Sequence, residues 1–179
     1  MIFKMTEETA YKLGKLDFPC FYSQVLWKMN REPFELANFF EWNMGMGWPC
    51  KKSDKGEYIT DWENIYLHGS LKINEFKEIK HKLAYIRGRL NSYSVNIQNN
   101  TIKITYANSY NLRDFLTKCL EDVIMDKFVL LPEENGVRKF SDKIPKYTIT
   151  KSEIIGTIPG TPSVELIADK EIIDYIIEK

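Results

Sequence analysis

The hydrophobic positions of this chain change period several times between Asn64 and Leu131, and the order of the changes predicts strand, helix, strand, strand, helix, strand. Asn64 to Ile73 is rich in β-branched and aromatic residues, and Asn74 follows with a short polar side chain suited to a helix N-cap. Phe76, Ile79, Leu83, Ile86 and Leu90 then recur at three- and four-residue spacing, one stripe of a helix ending near Asn91. Tyr93, Val95 and Ile97 alternate with polar residues, Gln98 to Thr101 supplies a turn, and Ile102, Ile104 and Tyr106 alternate again, which is the pattern of a hairpin. Asn111 reads as a second N-cap ahead of Leu112, Phe115, Leu116, Cys119, Leu120, Val123 and Ile124. An apolar run from Phe128 to Leu131 closes before Pro132.

The flanks add less regular segments. Thr6 is placed to cap a short helix opened by Glu7 and Glu8, with Gly14 ending it in a left-handed turn. A second helix is expected from Pro19 to Met29, and a third from Pro33 through PFELANFFEWN. Trp42 to Pro49 then reads as a glycine-containing loop, and Cys50 to Asp61 as a polar, solvated one. Beyond Pro132, Asn135-Gly136 predicts a hairpin turn, and strands are expected at Lys146–Thr150, Ile154–Ile158 and Val164–Ile167. Asp169 would cap a terminal helix that buries Ile172, Ile173, Ile176 and Ile177. The expectation is one α+β domain over residues 1–179. A helical, aromatic-rich N-terminal region (1–62) packs on a βαββαβ unit (63–131) of ferredoxin-like topology, followed by a β-rich extension and a C-terminal helix (132–179). That topology serves many functions and selects none.

Composition narrows the picture. A hydrophobic content of 44% over 179 residues is enough for a core, and the formal net charge of +0 makes no demand for a nucleic acid or an anionic membrane. Cys20, Cys50 and Cys119 have neither even number nor CxxC spacing, so reduced thiols are expected and no zinc site is implied. The first residues lack the apolar run of a signal peptide, and a cytoplasmic protein is expected. Heavy use of Ile, Lys and Asn suggests an AT-rich genome, such as that of a low-GC bacterium or its phages.

Candidate chemistry is sparse. Trp42, Met44, Met46 and Trp48 offer large, adaptable apolar side chains of the kind that dominate binding hot spots, and they are the expected partner-binding residues. The GxG among them lacks the lysine of a phosphate loop. A helix-turn-helix reading of the N-terminal helices fails because Glu35 and Glu41 would face the DNA backbone. The heptamer IYLHGSL resembles the first ribonucleoprotein motif of the RNA recognition motif family, with Tyr66 as the base-stacking aromatic. The resemblance spans seven residues, and NTIKITYA stands where a Gly- and Phe-rich partner motif belongs. It implies RNA contact at Tyr66, and Lys77, Lys80 and Arg87 on the basic helix 74–91 are the phosphate-contact candidates. His68, His81, Cys50 and Ser70 fall in no catalytic motif, so no catalytic residue, metal ligand or cofactor is expected. The expected function is non-enzymatic binding of another protein, as by an assembly factor, an inhibitor or an immunity protein. RNA binding is the alternative, and an enzyme assembled from distant residues the third. A membrane partner is not expected, while self-association stays open.

Overall fold

A computed structural model of the chain describes residues 4–15, 36–52, 54–55, 58–60, 66–91, 95–105, 110–152 and 162–178. The helix expected at Pro19–Met29 and the strand expected at Ile154–Ile158 lie outside them. Thr6 does cap the first helix, α1 (Glu7–Lys15): its hydroxyl oxygen accepts the Thr9 amide at 3.1 Å.

Gly14 corrects an expectation. It lies inside α1, with no left-handed φ, and is buried against α2 (Ile79–Leu90). A Cβ on Gly14 would collide with the Tyr85 carbonyl oxygen, and a Cβ on Gly88 with the Tyr11 carbonyl oxygen. The two segments share a pattern, Ala10-Tyr-Lys-Leu-Gly14 and Ala84-Tyr-Ile-Arg-Gly88, so each glycine lies under the tyrosine carbonyl of the other helix. Small residues four apart let two backbones touch, and α1 is held by that contact together with buried Ala10 and Leu13.

Helix α2 starts later than Asn74 suggests. Ile73–Glu75 forms a 3₁₀ turn and Glu78 is the N-cap. The detour drops Phe76 into the core, where its ring meets Tyr85 at 5.4 Å and Phe115 at 4.9 Å. Phe115 belongs to α3 (Tyr110–Ile124), whose first turn already contains Asn111, so Asn111 is not a cap.

The N-terminal region departs furthest from its pattern. Of the helix expected from Pro33, the described residues Leu36–Phe39 form one 3₁₀ turn, and the expected loop at Trp42–Pro49 is part of a long strand, β1 (Phe40–Lys52). An apolar segment rich in aromatics suits a strand paired on both sides as well as a helix, and period alone does not separate the two. β1 is central in a three-stranded antiparallel sheet, between β2 (Tyr58–Thr60) and β3 (Tyr66–Leu71). The expected polar loop after Cys50 is thereby corrected too: Cys50–Lys52 pairs with Tyr58–Thr60 around a turn at Asp54 and Lys55. Gly45 and Gly47 fall where the β1–β3 register shifts, between Met44 and Pro49.

The second sheet has four antiparallel strands, β4 (Val95–Gln98), β5 (Thr101–Thr105), β6 (Tyr147–Lys151) and β7 (Ser163–Ala168), in the order β4-β5-β7-β6. The described strands therefore do not combine as a ferredoxin-like unit. β3 pairs with β1 instead, and the expected strand Phe128–Leu131 is replaced by a π-helical turn, Met125–Val129, that continues α3. Burial of Ile124 and Val129 on either side explains why the apolar run coils inward. From α2 onward the order is helix, hairpin, helix, hairpin, helix, the last being α4 (Lys170–Ile177). Asp169 precedes α4 as expected, yet its carboxylate accepts the Lys146 amide at 2.8 Å and makes no side-chain cap.

Alternation decides which sheet face is covered. Ile102 and Ile104 on β5, with Val164, Leu166 and Ala168 on β7, turn inward to the helices; they share one core with Leu116, Cys119, Ile172 and Ile176. The opposite face carries Asn96, Gln98, Lys103, Thr148, Thr150 and Glu165, with Ile167 as its one large exposed apolar side chain among the described residues. Between α2 and α3, Lys82 meets Asp122 at 2.6 Å, and Lys118 reaches the same carboxylate at 2.8 Å. Burial alone would raise the Asp122 pKa, but the two lysine hydrogen bonds outweigh it and hold the carboxyl below its ordinary 3.8.

Two stability predictions follow from these contacts. Gly88→Ala should lower unfolding free energy by about 2–3 kcal/mol in urea titration, because overpacking against backbone exceeds the helix-propensity gain of about 1 kcal/mol. An unchanged urea midpoint would show that α1 and α2 are not in close contact. For Asp122, a lowered folded-state pKa means stability that is complete above the ordinary carboxylate range and lost as pH falls through it. Asp122→Asn should cost about 1–2 kcal/mol at neutral pH, and its gap to the wild type should close as pH falls below the ordinary carboxylate range.

Candidate functional site

Two surfaces stand out. The first is an arm after the π-helical turn. Asn135 (φ 53) and Gly136 (φ 76) both occupy the left-handed region that a tight hairpin turn requires, as the Asn-Gly pair predicts. Glu134 bridges Val137, and Leu130 bridges Phe140. Arg138 braces the base, donating to the Leu131 carbonyl at 3.0 Å and to the Asp126 carboxylate at 2.7 Å. Among the described residues of this hairpin and its continuation, Phe140 is 68% exposed and Val137 58%, with Leu131 and Ile144 also exposed. These exposed apolar side chains sit on an element braced by its own turn and by Arg138.

The second surface is a groove of about 570 Å³ between α1, α2, β4 and the end of α4. Leu83, Ala84, Leu90, Ile97 and Ile177 line its apolar part, and Glu7, Glu8, Lys80, Arg87 and Glu178 its charged part. Tyr175 links the two surfaces. Its ring lies 5.5 Å from Phe128 at the base of the arm and 6.0 Å from the Arg87 guanidinium. Burial raises the Tyr175 hydroxyl pKa, Arg87 opposes the rise, and Asp126 adds to it.

Of the residues the sequence singled out, Trp42, Met44, Met46 and Trp48 lie on β1 and Tyr66 on β3, with side chains outside the described set. Tyr66 pairs opposite Pro49 in the three-stranded sheet, away from the β4–β5 hairpin that the RNA recognition motif likeness would place beside it. Lys77 is exposed. Lys80 pairs with Glu78 at 2.9 Å, and these two exposed groups raise the lysine pKa and lower the glutamate's, chiefly through their shared hydrogen bond.

Arg87 serves the end of α4: it donates to the Tyr175 carbonyl at 2.9 Å and the Ile176 carbonyl at 3.3 Å, and lies 3.2 Å from the Glu178 carboxylate. A helix leaves its last carbonyls without intrahelical partners, and a guanidinium there satisfies them. Arg89, equally basic in sequence, is fully buried and donates to the Thr105 carbonyl at 3.0 Å. The structure therefore gathers Lys80 and Arg87 on one groove while committing both to carboxylates.

His81 is buried on α2, and His68 lies on β3, so the two histidines belong to different layers. Cys119 is buried in the core, and burial pushes its thiol pKa far up. Among the described residues no group of three His, Cys, Asp or Glu is placed to hold a metal, and no helix is long and apolar enough to cross a membrane. Sequence reading missed the arm as a surface. Its signal was the Asn-Gly turn flanked by Leu131, Val137 and Phe140 with few apolar residues opposite them.

Comparison with protein families, with curated proteins and with solved structures finds no match to this chain.

The commitments on α2 give a contrast in stability. Arg87→Met should lower unfolding free energy by about 1–2 kcal/mol through unsatisfied α4 carbonyls. Lys77→Met, at an exposed site, should stay within about 0.5 kcal/mol. Equal effects in thermal denaturation would refute the capping role.

Proposed function

We propose that this protein acts by binding another protein, without catalysis, in the manner of an assembly factor, an inhibitor or an immunity protein of a bacterium or its phages. The single observation that supports this reading is the arm: Phe140 and Val137 stand out from a hairpin fixed by Asn135-Gly136 and by Arg138. A pre-shaped apolar projection loses little conformational entropy on docking, so its buried area converts efficiently into affinity. Trp42, Met44, Met46 and Trp48 on β1 form the second docking element of the proposal, presented by a strand instead of a loop.

RNA binding draws less support. Lys80 and Arg87 face carboxylates of their own chain, and among the described residues the open face of the four-stranded sheet carries no aromatic on which a base could stack.

Capture from the native source, followed by titration of the purified partner, tests the reading. Phe140→Asp with Val137→Asp should weaken the complex by about 30-fold or more, as loss of a hot spot does, with melting temperature nearly unchanged. Trp48→Ala with Met46→Ala tests β1 separately. If both pairs leave affinity intact, while Lys80→Glu with Arg87→Glu abolishes binding in a strongly salt-dependent way, the ligand is a nucleic acid and the proposal fails.

A further inference from the structure

The tip of the arm places a side-chain amide next to a peptide nitrogen that little shields. Asn135 carries the amide, and Gly136 follows it without a side chain to crowd the nitrogen between them. Residues 131–140 are exposed throughout, and a Cβ on Gly136 would meet no atom within 4 Å among the described residues. Water and base therefore reach that nitrogen.

The turn itself withholds a reaction between the two groups. Asn135 (φ 53) and Gly136 (φ 76), closed by the reciprocal Glu134 and Val137 backbone hydrogen bonds at 2.9 and 3.0 Å, form a type I′ turn. Such a turn sets ψ of Asn135 near about +30°, which swings the Gly136 nitrogen almost opposite to Asn135 Cβ and out of reach of Cγ. Opening of the tip lets the two meet. The tip opens at low cost, because its backbone bonds face solvent and Arg138 with Asp126 braces the arm at its base.

We propose that Asn135 is a site of spontaneous deamidation, reached through opening of the arm's tip, and that its isoaspartate product cannot rebuild the turn. The Gly136 nitrogen loses its proton to base and bonds to Asn135 Cγ, the Cγ–Nδ2 bond breaks, and ammonia leaves a cyclic imide. Water then splits either C–N bond of the ring. Splitting at Cγ leaves aspartate, a new charge beside Glu133 and Glu134; splitting at the backbone carbonyl carbon leaves isoaspartate, whose main chain runs through Cβ and is longer by that carbon. The overall exchange is amide plus water for acid plus ammonia. A two-residue hairpin loop has no room for the extra backbone carbon, so the isoaspartate form loses the Glu134 to Val137 closure and with it the fixed presentation of Phe140 and Val137. That this loss ends docking rests on the partner-binding reading; the conversion itself does not.

The same chain holds a comparison. Asn99 turns the β4–β5 hairpin with φ 52 and is exposed, but Asn100 follows it, and its side chain crowds the nitrogen. Full-length protein held at mildly alkaline pH and mapped by peptide mass spectrometry should gain isoaspartate at position 135 at least about tenfold faster than at position 99. In amide NMR spectra of the aged protein, the Leu131, Glu134 and Val137 resonances should shift while those of β5 stay. Asn135→Gly preserves the turn, since two glycines suit the same geometry, and has no amide to lose, so its arm resonances should be unchanged by ageing. An intact Asn135 amide, conversion no faster than at Asn99, arm resonances unmoved by conversion, or equal loss of the arm in Asn135→Gly would each overturn the inference. None of these readings needs a partner, so a failure of the docking reading is told apart from a failure of this one.

Discussion

The close crossing of α1 and α2 is the contact on which the accessible architecture depends. Gly14 and Gly88 lie under the Tyr85 and Tyr11 carbonyls, an approach that a methyl group at either glycine would forbid. With the helices that near, Ala10 and Leu13 complete the core on one side, while Tyr11, Glu7 and Glu8 become one wall of the groove on the other. Separating the helices would change both together. A substitution in the crossing therefore acts on stability and on a surface at once, although neither glycine touches solvent chemistry.

The rest of the fold is a one-sided layer. α2, α3 and α4 cover the Ile102, Ile104, Val164 and Leu166 face of the four-stranded sheet, leaving the reverse face polar. Arginines secure the layer at its margins. Arg87 satisfies the last carbonyls of α4, Arg89 holds Thr105 at the end of β5, and Arg113 donates to the Ser152 carbonyl beyond β6 while bonding Asp114 at 2.7 Å. Three of the cations that give the central region its basic sequence thus face the backbone of this chain. A positive stretch of sequence is not a positive surface when its guanidinium groups point inward.

Some of the outward surface is apolar and local. The arm gains its shape from its own turn and one ion pair, independently of the main core, so its exposed Phe140 and Val137 have no evident structural duty. Edge strand β4 stands at the other end of the same sheet from β6 and opens onto the groove. The arm and the groove adjoin at Tyr175, which touches Phe128 on one side and Arg87 on the other.

Short-range periodicity in the sequence was sufficient for the elements whose pattern is unambiguous: α1 with its Thr6 cap, α2 and α3 in outline, the β4–β5 hairpin, the Asn135-Gly136 turn, and the terminal helix with buried Ile172, Ile173 and Ile176. Each is decided by interactions within a few residues. Pairing partners were not legible, because a strand's choice of neighbour depends on contacts far along the chain. Tyr66–Leu71 joined β1 only because PFELANFFEWN gave up its expected helix at Phe40. Phe128 to Val129 coiled into a π turn because the core could bury Val129 there. Gly14 likewise looked like a terminator in isolation and became a contact once Tyr85 was brought over it, since only tertiary structure determines what a missing side chain makes room for.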